Sequence, residues 1–150
     1  MVRGQRFVTF VILGTILASS ACGGDSAQTA PTAPSLPATT FSQTDLVVGT
    51  GAEAINGRRL TVHYTLWLYD PVRPESKGQQ LQTSVGGSPF SFVLGAGGVI
   101  RGWDQGVPGM KVGGTRRLII PPSLAYGSSG QGSIPPNATL VFDIQLLDVQ

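Results

Sequence analysis

The chain divides into three stretches with different hydrophobic patterns. Arg3 and Arg6 precede a largely apolar run over residues 7–17, whereas residues 23–40 are small, polar and proline-rich. From Phe41 onward, β-branched and aromatic residues gather in short runs separated by glycine and proline. The pattern predicts a targeting leader, a tether with too little apolar surface to fold, and one β-rich domain.

Five runs in the third stretch have the composition of β-strands, because β-branched and aromatic side chains suit a pleated, half-buried surface. Glycine and proline clusters, among them Pro71 to Gly78, mark the turns between them. A helix is predicted only over Arg101 to Val107, where Pro108-Gly109 ends it. We therefore expect an antiparallel α+β fold in which the helix covers the apolar face of the sheet. The predicted strands are Asp45 to Val48, Leu60 to Tyr69, Phe90 to Leu94, Thr115 to Ile120 and Leu140 to Val149.

The distribution of charge argues against nucleic-acid binding. The formal net charge of +2 includes Arg3 and Arg6 of the leader, so the remaining chain is close to neutral. Arg58-Arg59 and Arg116-Arg117 are isolated doublets, which we interpret as solvated strand positions. No clustered basic face of the kind that binds phosphate backbones is therefore expected.

The chain has one cysteine and one histidine, which limits its metal chemistry. A single thiol excludes an internal disulfide and a zinc site built on thiolates, and no metal or other cofactor is expected. His63 alternates with Tyr64 along a predicted strand and should point to the opposite face. We interpret His63 as structural, not as a base or ligand.

Cys22 follows the small residues Ala18 to Ala21 and closes a segment with the three regions of a secretory signal. The run into Cys22 resembles a bacterial lipobox, although Ser19 stands where leucine is usual. The resemblance implies a lipid on Cys22 and anchorage at a cell-envelope membrane, with Gly23 implying the outer membrane in a Gram-negative cell. Ordinary secretion of a soluble protein is the alternative, and the lipoprotein is favoured because a free thiol is a liability in an oxidising compartment. The expected divisions are 1–21 signal peptide, 22–41 lipidated cysteine and tether, and 42–150 folded domain.

The folded domain contains six short motifs in a fixed order. They are Val62-His63-Tyr64-Thr65, Phe90 to Gly95, Val99 to Trp103, Gly106 to Met110, Leu124 to Gly127 and Ile134 to Phe142. With these motifs in this order, the region from about residue 45 to 150 closely resembles the FKBP family of proline isomerases, known for binding tacrolimus. The ordered series is far more specific than any one motif.

The resemblance implies a five-stranded antiparallel sheet wrapped around one short α-helix, with an apolar pocket between them. It further implies a peptidyl-prolyl cis/trans isomerase that needs no cofactor and acts on proline-containing polypeptides. Trp103 resembles the pocket floor, and the Ile100 N–H and the Tyr126 hydroxyl resemble donors to substrate carbonyls. The expected pocket walls are Tyr64, Phe90, Val99, Ile100 and Phe142.

The expected rim of the pocket departs from the family pattern. Leu81-Gln82-Thr83-Ser84 replaces the usual Phe-Asp-Ser-Ser, so one aromatic wall becomes aliphatic and one carboxylate becomes an amide. Gln131 stands near a position that is often histidine in the family, and Ile134 is the fourth residue of the expected rim. We predict slower turnover or an altered preference before proline, and only weak tacrolimus binding. A monomeric isomerase for exported proteins is the first hypothesis, and a binding module or holdase of the same fold is the second.

Overall fold

The computed structural model describes residues 39–150, which contain six β-strands and one α-helix. Short 3-10 turns at Pro74–Ser76 and Pro122–Leu124 complete the regular structure. No helix in this described region is long and apolar enough to span a membrane. The predicted leader, Cys22 and most of the tether lie outside the described residues. The elements are β1 (Ser42–Val47), β2 (Arg59–Tyr69), β3 (Lys77–Thr83), β4 (Phe90–Val93), α1 (Arg101–Gly106), β5 (Thr115–Ile120) and β6 (Leu140–Val149).

The strands form one antiparallel sheet in the order β1-β5-β6-β2-β3, with β4 also paired to β2. Residues 59–62 of β2 pair with β4, and residues 65–69 pair with β3. Strands β3 and β4 therefore share one edge of β2, and the sheet has five positions across its width. The predicted fold class, an antiparallel α+β fold with one short helix, is confirmed.

Strand β3 corrects the sequence prediction. Residues 71–78 were expected to be a turn region, yet the strand begins at Lys77. Its sequence is largely polar and its side chains are exposed or half-buried, because β3 lies at the edge of the sheet. Gly78 fits this edge closely, since a Cβ there would lie 2.9 Å from the Leu68 carbonyl oxygen. A polar edge strand lacks the alternating apolar pattern by which strands are recognised in sequence.

The core lies between α1 and the concave face of the sheet. Alternate residues of β5, and of β6 from Phe142 onward, are buried, which is the two-residue period of a strand with one face on the core. Helix α1 approaches β5 through its two glycines. A Cβ on Gly102 would lie 2.5 Å from an Ile120 methyl group, and one on Gly106 would lie 2.6 Å from a Leu118 methyl group. The absence of side chains at both positions sets how closely the helix packs.

The second arginine doublet is not solvated, so that prediction was wrong. Arg116 is only 7% exposed and forms a two-pronged ion pair with Asp45 of β1. Arg117 points to the other face of β5, where its Nε lies 2.7 Å from Asp143 Oδ1. Charged side chains buried to this extent are normally paired. The partners come from distant parts of the sequence and could not be read from the doublet alone.

Candidate active site

One cavity of about 410 Å³ opens between α1, the concave face of the sheet and the loop before α1. All seven residues expected at the centre of the pocket line this cavity, as do Leu66, Gly97 and Gly98. The seven are Tyr64, Phe90, Val99, Ile100, Trp103, Tyr126 and Phe142.

The sheet register explains why residues far apart in sequence meet at this cavity. Leu66 of β2 is directly opposite Phe142 of β6, and Tyr64 lies two residues before Leu66 on the same face. Phe90 begins β4 opposite Val62. Since side chains alternate along strands, these positions share the face that looks toward α1. Helix α1 then places Trp103 over them.

Trp103 is the centre of an aromatic cluster. Its ring centroid lies 5.4 Å from those of Tyr64, Phe92 and Phe142, in edge-to-face or steeply inclined arrangements. The centroid of the Phe90 ring lies 6.1 Å from that of Trp103, with an interplanar angle of 82°. These geometries are the favourable ones for aromatic pairs. Trp103 lines the floor of the cavity, and because only 4% of it is exposed, it is also part of the core.

The Trp103 indole N–H is buried and has no hydrogen-bond partner among the described residues. The surrounding aromatic faces are at best weak acceptors. No directed hydrogen bond from residues 39–150 therefore fixes the indole ring, and its orientation depends on packing and on the position of α1.

Two donors at the cavity are unused by the rest of the described domain. Within residues 39–150, neither the Ile100 N–H nor the Tyr126 hydroxyl forms a hydrogen bond. Burial raises the pKa of Tyr126, and burial together with the neighbouring Tyr126 raises the pKa of Tyr64. Both phenols are therefore protonated at neutral pH, and the Tyr126 hydroxyl can donate to a carbonyl.

The described lining of the cavity contains no Asp, Glu, His, Lys or Arg. The two phenols are its only titratable side chains, and their raised pKa values make both of them poor bases near neutrality. Such a site can bind an apolar group and orient a carbonyl. The described lining does not offer a nucleophile paired with a base, the arrangement on which hydrolases that form a covalent intermediate depend.

The loop between β4 and α1 supplies lining residues that sequence reasoning missed. Gly97 and Gly98 lie at the cavity, and the loop is tied to α1 by a 2.9 Å hydrogen bond from the Gly95 N–H to Asp104 Oδ1. Phe92, which packs behind Trp103, was also missed. Its signal was present, because Phe92 follows Phe90 by two residues and must share its face.

A second hollow of about 320 Å³ adjoins the first and contains the predicted rim. Gln82 and Gln131 line both spaces, whereas Leu81 and Ile134 line only the second. The backbone of Gln131 pairs with Ile134 in a short bridge. The structure thus brings all four rim residues together beside the central cavity.

His63 does not line either space. Its Nδ1 lies 3.1 Å from the Ser84 hydroxyl, and that hydroxyl also accepts a 2.9 Å hydrogen bond from the Tyr64 N–H. The contacts are those of a structural residue that holds β2 against the end of β3.

A family model described as FKBP-type peptidyl-prolyl cis-trans isomerase matches residues 51–147. The chain belongs to the FKBP family. It is 46% identical over 106 residues to the FK506-binding protein of Neisseria meningitidis serogroup B, an alignment that covers 70% of this chain and 92% of that protein. It is 45% identical over 116 residues to the chloroplastic peptidyl-prolyl cis-trans isomerase FKBP16-4 of Arabidopsis thaliana, covering 71% and 46% of the two chains.

Two crystal structures show the same FKBP fold. FkpA from Escherichia coli aligns with a TM-score of 0.63 and 40% identity, over 73% of this chain and 48% of that chain. AtFKBP13 aligns with a TM-score of 0.63 and 38% identity, over 73% and 93%. The predictions of an FKBP-type domain and of peptidyl-prolyl isomerase activity are confirmed.

Proposed function

We propose that this FKBP domain isomerises Xaa-Pro bonds in exported polypeptides, with the prolyl ring bound against Trp103. The observation that carries the proposal is the open aromatic cavity with two unused donors and no charged lining residue in the described domain. Tyr64, Phe90, Val99 and Phe142 would enclose the ring. The Ile100 N–H and the Tyr126 hydroxyl would hold the carbonyls on either side of the rotating bond.

The chemistry suits a cavity without acids or bases. Rotation about a peptide bond meets a barrier of roughly 18–20 kcal/mol because amide resonance must be broken, and no bond is formed or cut. A catalyst must favour the twisted amide over the planar one, and about 5–7 kcal/mol corresponds to a 10⁴- to 10⁵-fold acceleration. The planar amide is the more polar state, so an apolar pocket raises its energy relative to the twisted state.

The direct test is a protease-coupled or NMR exchange assay on short Xaa-Pro peptides, with and without tacrolimus. We expect catalysed exchange that saturates with peptide and that tacrolimus inhibits weakly. The expected weakness rests on Leu81 and Gln82, which replace an aromatic ring and a carboxylate of the usual family pattern. A folded protein that leaves the exchange rate at background would refute the enzymatic proposal.

A binding module or holdase is the second candidate. Its support is the neutral rim formed by Leu81, Gln82 and Gln131, which differs from the family pattern beside an otherwise complete pocket. The two functions separate when aggregation of an unfolded client and peptide isomerisation are measured together. Suppression of aggregation by a protein that does not accelerate exchange would favour the holdase.

Export and lipid anchoring complete the proposal and rest on the sequence around Cys22. Mass spectrometry of the mature N-terminus should find a diacylglyceryl group on Cys22, and Cys22→Ala should move the protein from the membrane to the soluble fraction. An unmodified mature N-terminus at Cys22 would support ordinary secretion instead.

A further inference from the structure

Arg116 makes four hydrogen bonds from a nearly buried side chain. Its Nε lies 2.5 Å from Asp45 Oδ1, and its Nη2 lies 3.1 Å from Asp45 Oδ2. Its Nη1 donates to the backbone carbonyls of Gly106, at 2.8 Å, and Pro108, at 3.0 Å. One guanidinium thus joins β5, β1 and the end of α1.

The two carbonyls belong to the end of α1 and to the turn that follows it. Carbonyl groups at the end of a helix lack partners within the helix, and a cation there complements both their lone pairs and the helix dipole. A helix of six residues is too short to persist without support from its surroundings. Arg116 provides that support where α1 ends.

The start of the domain also contacts this part of α1. The Phe41 ring, just before β1, lies 3.1 Å from the position that a Gly106 Cβ would occupy. Asp45 of β1 holds the Arg116 fork from the other side, and the hydrogen bond from Arg116 lowers the pKa of the Asp45 carboxyl. The end of α1 is therefore fixed by an ion pair and by an aromatic contact from the same segment.

Trp103 lies on α1 less than one turn before Gly106, and no hydrogen bond within the described domain fixes its indole ring. The other end of α1 is held separately, because Arg101 donates to the Ser123 carbonyl. We infer that Arg116 is a positioning residue for the isomerase site. Its guanidinium group, held by Asp45, fixes the end of α1 and thereby the position of Trp103 at the floor of the pocket. This inference rests on the proposed role of Trp103.

Arg117 provides a matched control. It follows Arg116 on β5 and also forms a two-pronged pair with a carboxylate, at 2.7 and 2.9 Å from Asp143. Its remaining partner is Glu75, and none of its hydrogen bonds reaches α1. Removing either arginine breaks an ion pair of the sheet, but only Arg116 supports the helix that carries Trp103.

The experiment compares Arg116→Met with Arg117→Met in the purified protein, at a temperature where circular dichroism shows both variants folded. We expect Arg116→Met to lower kcat/KM about tenfold and Arg117→Met to leave it within about twofold. Arg116→Lys, which keeps the charge but loses the fork, should fall between wild type and Arg116→Met. Equal losses in the two Met variants, or no loss in folded Arg116→Met, would overturn the inference.

A fluorescence readout separates this inference from the proposed function. In a Trp67→Phe background Trp103 is the remaining tryptophan, and its emission should shift in Arg116→Met but not in Arg117→Met. An unchanged spectrum in Arg116→Met would contradict positioning of the floor. A shift in a protein whose parent is inactive would support positioning and refute the proposed activity.

If Arg116→Met does not fold, the comparison is made with the variants Asp45→Asn and Asp143→Asn in place of the two arginine variants. Asp45 is partly exposed, so its amide variant is the milder change. We expect Asp45→Asn to lower kcat/KM about threefold and Asp143→Asn to leave it within about twofold. The same loss in both variants would show that the two ion pairs matter only for stability.

Discussion

The floor of the cavity and its rim differ in what supports them. The floor consists of Trp103 on α1 together with the neighbouring residues Phe142 on β6 and Leu66 on β2, two adjoining strands inside the sheet. All three are buried. Gln82 and Gln131 lie on an edge strand and on the loop before β6, and both are exposed. The floor cannot change without disturbing the core, whereas the rim can change at little cost to the fold. Catalysis is therefore expected to depend on the floor, and selectivity on the rim.

Replacement of Trp103 should have the largest effect. We expect Trp103→Leu to lower kcat/KM roughly 10- to 100-fold, and to lower the free energy of unfolding by about 2 kcal/mol or more because it leaves a cavity in the aromatic cluster. Peptide-exchange kinetics and urea titration measure the two effects.

Trp67→Leu is the control for this prediction, because Trp67 packs under Lys77 outside the cavity. It should leave kcat/KM within about twofold. If Trp103→Leu also kept full activity, the proposed floor would be wrong.

Tyr126→Phe should have a moderate effect that is confined to activity. It removes one donor and keeps the ring, and a neutral hydrogen bond contributes about 1 kcal/mol, so kcat/KM should fall roughly fivefold. Stability should change little, since the hydroxyl has no partner in the described domain. Tyr69→Phe, outside the cavity, is the matched control. A loss of stability without a loss of activity would argue against the proposed donor.

Leu81→Phe changes the rim alone and therefore tests how far the rim influences the reaction and ligand binding. An added aromatic wall contributes about 0.5–1.5 kcal/mol, so we expect a gain of roughly 2- to 12-fold in kcat/KM or in tacrolimus affinity and little change in stability. Val85→Phe is the control, because Val85 is exposed and lines neither space. Unchanged kinetics and ligand affinity in Leu81→Phe would show that the rim has no influence on this reaction.

The pH dependence should be the smallest effect. Because the raised pKa values of Tyr64 and Tyr126 keep both phenols protonated, kcat/KM should be flat from about pH 6 to 9. Burial raises the pKa of both phenols, so the folded state favours their neutral form. Their contribution to the free energy of unfolding is therefore complete below pH 10, the usual tyrosine pKa, and is lost as the pH rises above it. A bell-shaped profile near neutrality would reveal an acid or base that the described cavity does not contain.

The seven residues expected at the centre of the pocket all line the cavity, because the ordered family motifs point to them and strand alternation puts those on β2, β4 and β6 on one face. Leu66 follows Tyr64 by two residues on β2 and also lines the cavity, but it was not predicted. Edge strand β3 was missed because polar residues such as Gln79 and Gln80 give no periodic apolar signal.

The role of Arg116 could not be read from the sequence either. Its carboxylate partner, Asp45, is 71 residues away. Their contact depends on the register of β1 against β5, and that register exists only once the sheet has formed. A long-range ion pair of this kind has no signature at the level of neighbouring residues.

The position of β6 between β5 and β2 has a consequence for when the domain can fold. Strand β6 comes last in chain order yet joins the two halves of the sheet, so a nascent chain that lacks it has no continuous core. Long-range pairings of this kind also slow folding. For an exported polypeptide, as we propose this one to be, such late closure would keep the domain open while the chain is being synthesised.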